Sequence, residues 1–145
     1  MTVQLIRAAE LYGGVPYAYA SVAAVPSDEL VFAAGACPLD EEGQVVAPGD
    51  VAAQARQAMA NLTAALAAAG ARLADVLKTT IYVAAADRAD LVAAWNVIRA
   101  EFGDHDAPST LLGVTVLGYP GQLVEIEAVA AANRTPRKGM MRARR

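Results

Sequence analysis

The sequence has little of several residue types that functional sites commonly use. It contains one cysteine, one histidine, one tryptophan and two phenylalanines among 145 residues. A single cysteine excludes an internal disulfide and a multi-cysteine metal site, and a single histidine argues against a histidine-based zinc site. We therefore predict no metal. Because aromatic residues are so few, the core has to consist of Ala, Val, Leu and Ile, which suits close packing of helices on a sheet.

Long apolar stretches are also missing. No run approaches the roughly 20 apolar residues of a membrane-spanning helix. Residues 1–25 contain Arg7 and Glu10 instead of the long apolar region of a secretory signal. No Walker A pattern is present, and Gly13-Gly14 predicts only a turn. We therefore expect a cytoplasmic protein that does not associate with a membrane.

Charge is distributed unevenly along the chain. The net charge is −3, but residues 133–145 hold six of the twelve basic residues and no acid, which leaves −9 on residues 1–132. An acidic body repels nucleic-acid phosphates, whereas a basic tail favours RNA or an anionic surface. We predict one domain over residues 1–132 and a disordered basic tail over 133–145, with RNA binding through that tail as the alternative.

Hydrophobic periodicity predicts an α+β domain with the element order β-β-α-β-α-β-β. Helices begin at the N-caps Asp50 and Asp87 and end at Gly70 and Gly103. The predicted strands are 15–24 and 29–34, joined as a hairpin by a turn at 26–28, and then 76–83, 109–117 and 123–131. Two helices can cover only one face of such a sheet, so we expect partner subunits to cover the other face.

Two acids lie on the last predicted strand. Glu125 and Glu127 alternate with the apolar residues Val124, Ile126 and Ala128, so both project from one face, about 6.5–7 Å apart. A carboxylate in this position can orient or deprotonate a water molecule. The alternative is a solvated strand face.

Five other residues are weaker candidates. Tyr17, in the first predicted strand, has a hydroxyl that can reach a cleft, or it is a half-buried strand aromatic. Gly35 and Gly113 mark places where a ligand or another backbone approaches closely. Cys37 is interpreted as a packed loop thiol, and His105 as a solvated loop residue, since neither has an evident catalytic partner in the sequence.

Five motifs occur in order along the chain: PY at 16–17, AGACPLD at 34–40, DVAAQARQAMANLTAALAAAG at 50–70, LKTTIYV at 77–83 and GQLVEIEAVA at 121–130. Together they resemble the Rid/YjgF family of reactive-intermediate deaminases, over about residues 14–131. The resemblance implies a chorismate mutase-like fold, a barrel-like homotrimer and small-molecule clefts between subunits. It also implies hydrolysis of imines and enamines to 2-oxo acids and ammonia, without metal or cofactor.

The resemblance assigns roles to individual residues. Glu125 matches the glutamate that orients water, Tyr17 matches the tyrosine of the family's Pro-Tyr motif, and Gly35 matches a loop glycine. Ala34 occupies the position of the serine in the same loop. Ser109 occupies the position of the arginine that grips the substrate carboxylate.

These departures leave the function open. Arginine is suited to planar, bidentate capture of a carboxylate, and no Arg or Lys lies between Arg99 and Arg134. Ala93 also replaces a family asparagine on the second helix. We therefore do not expect ordinary 2-imino acid deamination.

We predict hydrolysis of a small reactive imine or enamine without a free carboxylate. Glu125 would orient water, and Tyr17, together with Ser109 or Thr110, would polarise the substrate with the backbone amides near Gly35. The alternatives are a non-catalytic regulatory trimer that binds a small molecule, and an RNA-engaging translation inhibitor or endoribonuclease.

Overall fold

The computed structural model describes residues 3–24 and 29–132, which form an α+β domain. Its elements are β1 (Gln4–Ile6), β2 (Ala20–Val22), β3 (Glu29–Phe32), α1 (Val51–Ala68), β4 (Val76–Ala84), α2 (Arg88–Phe102), β5 (Ser109–Val114) and β6 (Val124–Ala132). No helix in this part of the chain is long and apolar enough to cross a membrane. The predicted turn at 26–28 and the basic tail at 133–145 lie outside the described residues.

Both helices begin and end at the predicted signals. The Asp50 side chain accepts a hydrogen bond from the Ala53 backbone N–H at 2.9 Å, and Asp87 caps α2 in the same way. Gly70 and Gly103, just after the helices, have φ angles of +84° and +62°. Glycine adopts this backbone region without steric cost, so it ends each helix cleanly.

Four strands form the main sheet in the order β3-β6-β4-β5. The pair β4–β5 is parallel, because α2 carries the chain back across the sheet, and the other neighbours are antiparallel. The predicted hairpin of 15–24 with 29–34 is wrong. Within 15–24 only β2 is a strand, and it pairs with β1, a strand that was not predicted. Tyr17 lies before β2, outside any strand.

One face of the main sheet packs against both helices, as predicted. Ile81 and Val83 on β4 and Val124 and Ile126 on β6 are fully buried there. They share one hydrophobic cluster with residues of both helices, including Ala55, Met59, Leu62, Leu66, Ala94 and Ile98. Alanine is frequent on these surfaces, so the helices pack closely on the strands.

The opposite face of the main sheet, here called the open face, carries polar residues at its centre and apolar residues at its edges. The central strands contribute Lys78, Thr80, Tyr82, Glu125, Glu127 and Val129. On the edge strands, Phe32 is 73% exposed and Leu112 is 44% exposed. The helices do not cover this surface.

Gln54 is a fully buried polar side chain on α1 that connects two loops. Its Nε2 donates to the carbonyl oxygens of Gly121 and Ala47, at 3.0 and 3.3 Å, and its Oε1 accepts from the Leu123 backbone N–H at 2.7 Å. Each buried polar group without a partner costs about 1–3 kcal/mol.

We predict that Gln54→Leu lowers the free energy of unfolding by about 2–4 kcal/mol, measured by urea denaturation at fixed protein concentration.

The matched control for this prediction is Gln44→Leu, at an exposed position. That change is expected to stay within about 0.5 kcal/mol of the parent. Equal stability of the two variants would contradict the structural role of Gln54.

Candidate functional site

Glu125 lies on the open face of β6, against the loop that follows β3. Ala36 in this loop pairs with Ile126: the Ala36 N–H donates to the Ile126 carbonyl at 2.7 Å, and the reverse bond is 3.1 Å. This bridge places Gly35 directly beside the Glu125 carboxylate. A Cβ atom at Gly35 would lie 2.6 Å from Glu125 Cδ. A side chain at this position would therefore displace the Glu125 carboxylate. The group that approaches Gly35 closely in this chain is thus a side chain, whereas a ligand or another backbone was predicted.

The two oxygens of the Glu125 carboxylate have different surroundings. Oε1 accepts a hydrogen bond from the Cys37 thiol at 3.0 Å and a longer one from Gln122 Nε2 at 3.5 Å. Oε2 accepts no hydrogen bond from the residues that the structure describes. Asn61 on α1 positions the loop, since its Nδ2 donates to the Cys37 carbonyl at 2.8 Å. The contact of Cys37 with Glu125 was not predicted from the sequence.

Cys37 acts as a hydrogen-bond donor and not as a nucleophile. Burial, followed by the hydrogen bond and the negative charge of Glu125, raises the pKa of its thiol from 9.0 to about 11. The thiolate is the reactive form of cysteine, and at neutral pH this thiol stays protonated. Cys37 was interpreted from the sequence as a packed loop thiol. In the structure, this thiol has a specific hydrogen-bond partner, Glu125.

Glu127 lies on the same face as Glu125 but has a different partner. The Tyr82 hydroxyl donates to its Oε1 at 2.6 Å. This hydrogen bond is the main cause that raises the pKa of Tyr82. The predicted placement of both acids on one strand face is confirmed, and the structure distinguishes them, because only Glu125 lies beside the glycine loop.

A second group of candidate residues surrounds an open cavity of about 490 Å³, here called the Tyr17 cavity. It lies between residues 17–21 and the first residues of β4 and β5. Its lining includes Tyr17, Tyr19, Ser21, Lys78, Ser109 and Thr110. Trp95 of α2 contacts the Tyr17 ring edge-to-face, with ring centroids 6.3 Å apart. Tyr17, Ser109 and Thr110 are thus brought together in one cavity.

Ser109 and Thr110 point to different partners. Ser109 Oγ is 2.6 Å from Oγ1 of the fully buried Thr79 and donates to the Ala107 carbonyl at 3.0 Å. Thr110 Oγ1 instead accepts a hydrogen bond from Lys78 Nζ at 2.5 Å. A cation therefore lies beside the start of β5. The sequence argument missed it because β4, the parallel neighbour of β5, is distant along the chain.

One chain does not bring the two groups of residues together. Along β4, Lys78 is opposite Val129 and Tyr82 is opposite Glu125. Four residues of extended strand span about 13 Å. Ala34 and Gly35 lie at the Glu125 end of the open face, and the Tyr17 cavity lies at the Lys78 end.

His105 is not a solvated loop residue, and that interpretation is wrong. It is half-buried, and its Nε2–H donates to the Val76 carbonyl at 2.7 Å. The ring thus connects the loop before β5 to the start of β4. Within the described ranges, no group of three or more His, Cys, Asp or Glu residues is arranged to hold a metal ion.

The rate at which Cys37 reacts with a thiol reagent tests whether Glu125 raises the pKa of its thiol. A pKa of about 11 instead of 9.0 lowers the thiolate fraction at pH 8 about a hundredfold. We predict that the thiol reagent DTNB modifies Cys37 about a hundred times more slowly than an unperturbed thiol. Glu125→Gln removes the neighbouring negative charge, so the reaction should accelerate about fivefold or more.

Glu127→Gln is the control for this measurement, because Glu127 does not contact the thiol and its loss should leave the rate unchanged. The same rate in Glu125→Gln and in the parent would show that the carboxylate does not influence Cys37.

Comparisons with known proteins identify the family of this chain. The family model described as endoribonuclease L-PSP matches residues 15–132. The 3-aminoacrylate deaminase RutC of Acinetobacter baylyi is 36% identical over 109 residues, which cover 75% of this chain and 84% of that protein. The 2-iminobutanoate/2-iminopropanoate deaminase of Escherichia coli is 35% identical over 112 residues, with the same coverage of 75% and 84%.

The fold has a similar counterpart among solved structures. YyfB of Yersinia pestis, a protein of the Rid family, superimposes with a TM-score of 0.80 at 33% sequence identity. The match covers 90% of this chain and 98% of that one. The family model, the related sequences and the fold lead to the same conclusion: this chain belongs to the Rid/YjgF family.

Proposed function

We propose that the protein hydrolyses a small imine or enamine, with Glu125 orienting the attacking water. The observation that carries this proposal is the asymmetry of the Glu125 carboxylate. Cys37 and Gln122 fix its Oε1, whereas Oε2 has no hydrogen-bond donor among the described residues. A carboxylate oriented in this way can accept a proton from water at Oε2. The deaminase names of the two related sequences support the same reaction class.

The proposed reaction needs no change of oxidation state. The imine nitrogen first takes up a proton from solvent. Water then adds to the carbon of the C=N bond while Glu125 takes a proton from it, which gives a neutral carbinolamine. Glu125 returns this proton to the nitrogen, the C–N bond breaks while the carbinol hydroxyl loses its proton to solvent, and a carbonyl compound and ammonia leave. An enamine reacts in the same way after a proton adds to its carbon. The hydroxyls of the Tyr17 cavity and the backbone N–H groups near Gly35 would polarise the substrate.

The proposed site is a cleft between two copies of this chain. The Tyr17 cavity and Glu125 lie at opposite ends of the open face, about 13 Å apart along the strands. A second copy in suitable orientation would place its Glu125 opposite the Tyr17 cavity of the first. We therefore propose a cytoplasmic, barrel-like homotrimer of chorismate mutase-like subunits, in which the open faces pack together and the small-molecule clefts lie at the seams.

Ordinary 2-imino acids are expected to be poor substrates. Among the described residues, the cavity contains no arginine that would capture a carboxylate in two hydrogen bonds. Ala34 and Ser109 also replace polar family residues. A trimer that binds a small molecule without turnover is the alternative for the same cleft.

The role of Glu125 is tested by removing its charge. We predict that Glu125→Gln lowers the rate of ammonia release from a panel of imines, including 2-iminobutanoate and neutral ketimines, about 10²- to 10⁴-fold. Glu127→Gln is the control on the same strand and should keep most of the activity. Unchanged turnover in Glu125→Gln would refute the proposed role. Thermal stabilisation by a ligand without turnover in the parent would favour the binding alternative.

The trimer is tested at the exposed edge of the open face. Phe32 is 73% exposed in the single chain, and a charge there would be buried if the open faces pack together. We predict that the parent sediments as a trimer and that Phe32→Lys shifts it toward monomer in analytical ultracentrifugation. Val92→Lys, at a 49% exposed position on α2, is the control and should leave the trimer intact. A monomeric parent would refute the assembly.

A further inference from the structure

Three aromatic rings lie together beside the start of β5. Tyr17 contacts Trp95 edge-to-face with ring centroids 6.3 Å apart, and it contacts Tyr19 in the same way at 6.0 Å. The Tyr19 hydroxyl donates to the Tyr12 carbonyl at 2.7 Å, which holds that ring in place. The whole chain has one Trp, five Tyr and two Phe, so this cluster contains a large share of its aromatic surface.

Trp95 is the largest apolar side chain of the protein, yet the core does not enclose it. Ile98, three residues further along α2, is fully buried, whereas Trp95 is only half-buried. β5 is the edge strand of the main sheet, so no further strand of the described residues lies beyond it to cover this ring. A tryptophan gains more from burial than most side chains. Its exposed part is therefore a favourable surface for an apolar ligand group.

A cavity of about 460 Å³, here called the Trp95 pocket, lies beside this ring. Its lining consists of Pro16, Tyr17, Trp95, Ser109, Thr110 and Leu111. Among the described residues, no charged side chain lines it, and its walls are mainly apolar and aromatic. The volume lies within the range of about 300–1,000 Å³ that is typical of small-molecule sites. The pocket therefore suits an uncharged part of a small molecule.

The Trp95 pocket adjoins the Tyr17 cavity, because Tyr17, Ser109 and Thr110 line both. The two cavities differ in chemistry. The Tyr17 cavity adds the hydroxyls of Tyr19 and Ser21, whereas the Trp95 pocket adds only apolar side chains. A ligand that spans both would place its polar reacting group among the hydroxyls and its apolar substituent against Trp95.

The orientation of the two rings in the wall favours a planar aromatic substituent. Aromatic rings pair best edge-to-face or in offset stacks, and such pairs are more stable than their buried area alone explains. The ring planes of Tyr17 and Trp95 are 85° apart. A third ring that lies flat against one of them would therefore present its edge toward the other. An aliphatic group of the same size would be buried equally but would not form these ring contacts.

We propose that the Trp95 pocket binds an aromatic ring of the ligand and that Trp95 is the residue that determines this specificity. The substrate would then be a neutral imine or enamine that carries an aryl group. The inference deepens the proposed function and rests on it for the reacting group of the ligand. An aromatic substituent would supply the anchor that a substrate without a free carboxylate needs.

The test compares three neutral ketones, which resemble the carbonyl product of the proposed reaction. Binding of phenylacetone, cyclohexylacetone and acetone is measured by isothermal titration calorimetry. We expect phenylacetone to bind about ten- to hundredfold more tightly than acetone, because the pocket buries its ring. It should bind about twofold or more tightly than cyclohexylacetone, because only an aromatic ring pairs with Trp95 and Tyr17. Trp95 is the only tryptophan of the chain, so a saturable change in its fluorescence reports binding at this pocket.

Two substitutions separate the aromatic ring of Trp95 from its apolar bulk. Trp95→Leu keeps an apolar side chain but removes the ring, so it should no longer distinguish phenylacetone from cyclohexylacetone. Trp95→Phe restores a ring and should keep the preference. Tyr119→Ala is the matched control, because Tyr119 is a 46% exposed aromatic residue that lines neither cavity. It should bind all three ketones like the parent.

Thermal unfolding and sedimentation of each variant show whether it folds and assembles, and Trp95→Met replaces Trp95→Leu if the latter does not fold. The inference is overturned if the parent does not prefer phenylacetone to both other ketones, or if a folded Trp95→Leu or Trp95→Met variant keeps that preference. It is also overturned if the folded variant no longer assembles like the parent, because Trp95 would then serve a contact between subunits.

These outcomes are separate from a failure of the proposed function. Glu125 lines neither cavity, so Glu125→Gln should still prefer phenylacetone. Retained hydrolysis in Glu125→Gln would refute the proposed reaction and leave the role of Trp95 standing. A parent that hydrolyses imines but shows no preference for the aromatic ketone would refute only the role of Trp95.

Discussion

The antiparallel pairing of β4 with β6 fixes which side chains face the helices and which face away. Ile81 lies opposite Ile126 in the core, and Tyr82 lies opposite Glu125 on the open face. Side chains alternate along a strand, so a slip of one residue would bury both acids of β6 and expose the core. Burying a carboxylate without a partner costs far more than losing one apolar contact. The packing of the core therefore also determines where the candidate site lies.

The orientation of Glu125 depends on three separate segments of the chain. Gly35 lets the loop after β3 approach the carboxylate, because a side chain there would push the carboxylate out of its present position. Cys37 in the same loop donates to Oε1, and Gln122 before β6 adds a second donor. Asn61 on α1 secures the loop through the Cys37 carbonyl. The carboxylate is thereby held in one orientation by the described residues, as the proposed addition of water would require.

Charge is distributed unevenly along the open face. Glu125 lies toward one end, Glu127 lies in the middle, and Lys78 lies toward the other end, beside the start of β5. A lysine at this place differs from the arginine that the family resemblance implies for β5.

The sequence by itself determined the helices with their caps, the four strands of the main sheet to within a few residues, and the placement of both acids on one face of β6. These features follow from periodicity and local turn chemistry, which act over neighbouring residues. The family was also identified from ordered motifs. Only the tertiary structure decided that β2 pairs with β1, that Cys37 contacts Glu125, that His105 bonds the start of β4, and that Lys78 lies beside Thr110. Each of these contacts joins residues 14 to 88 positions apart on the chain. A pattern of neighbouring residues indicates that a strand forms and which face is apolar, but it does not identify the partner that packing brings to that face.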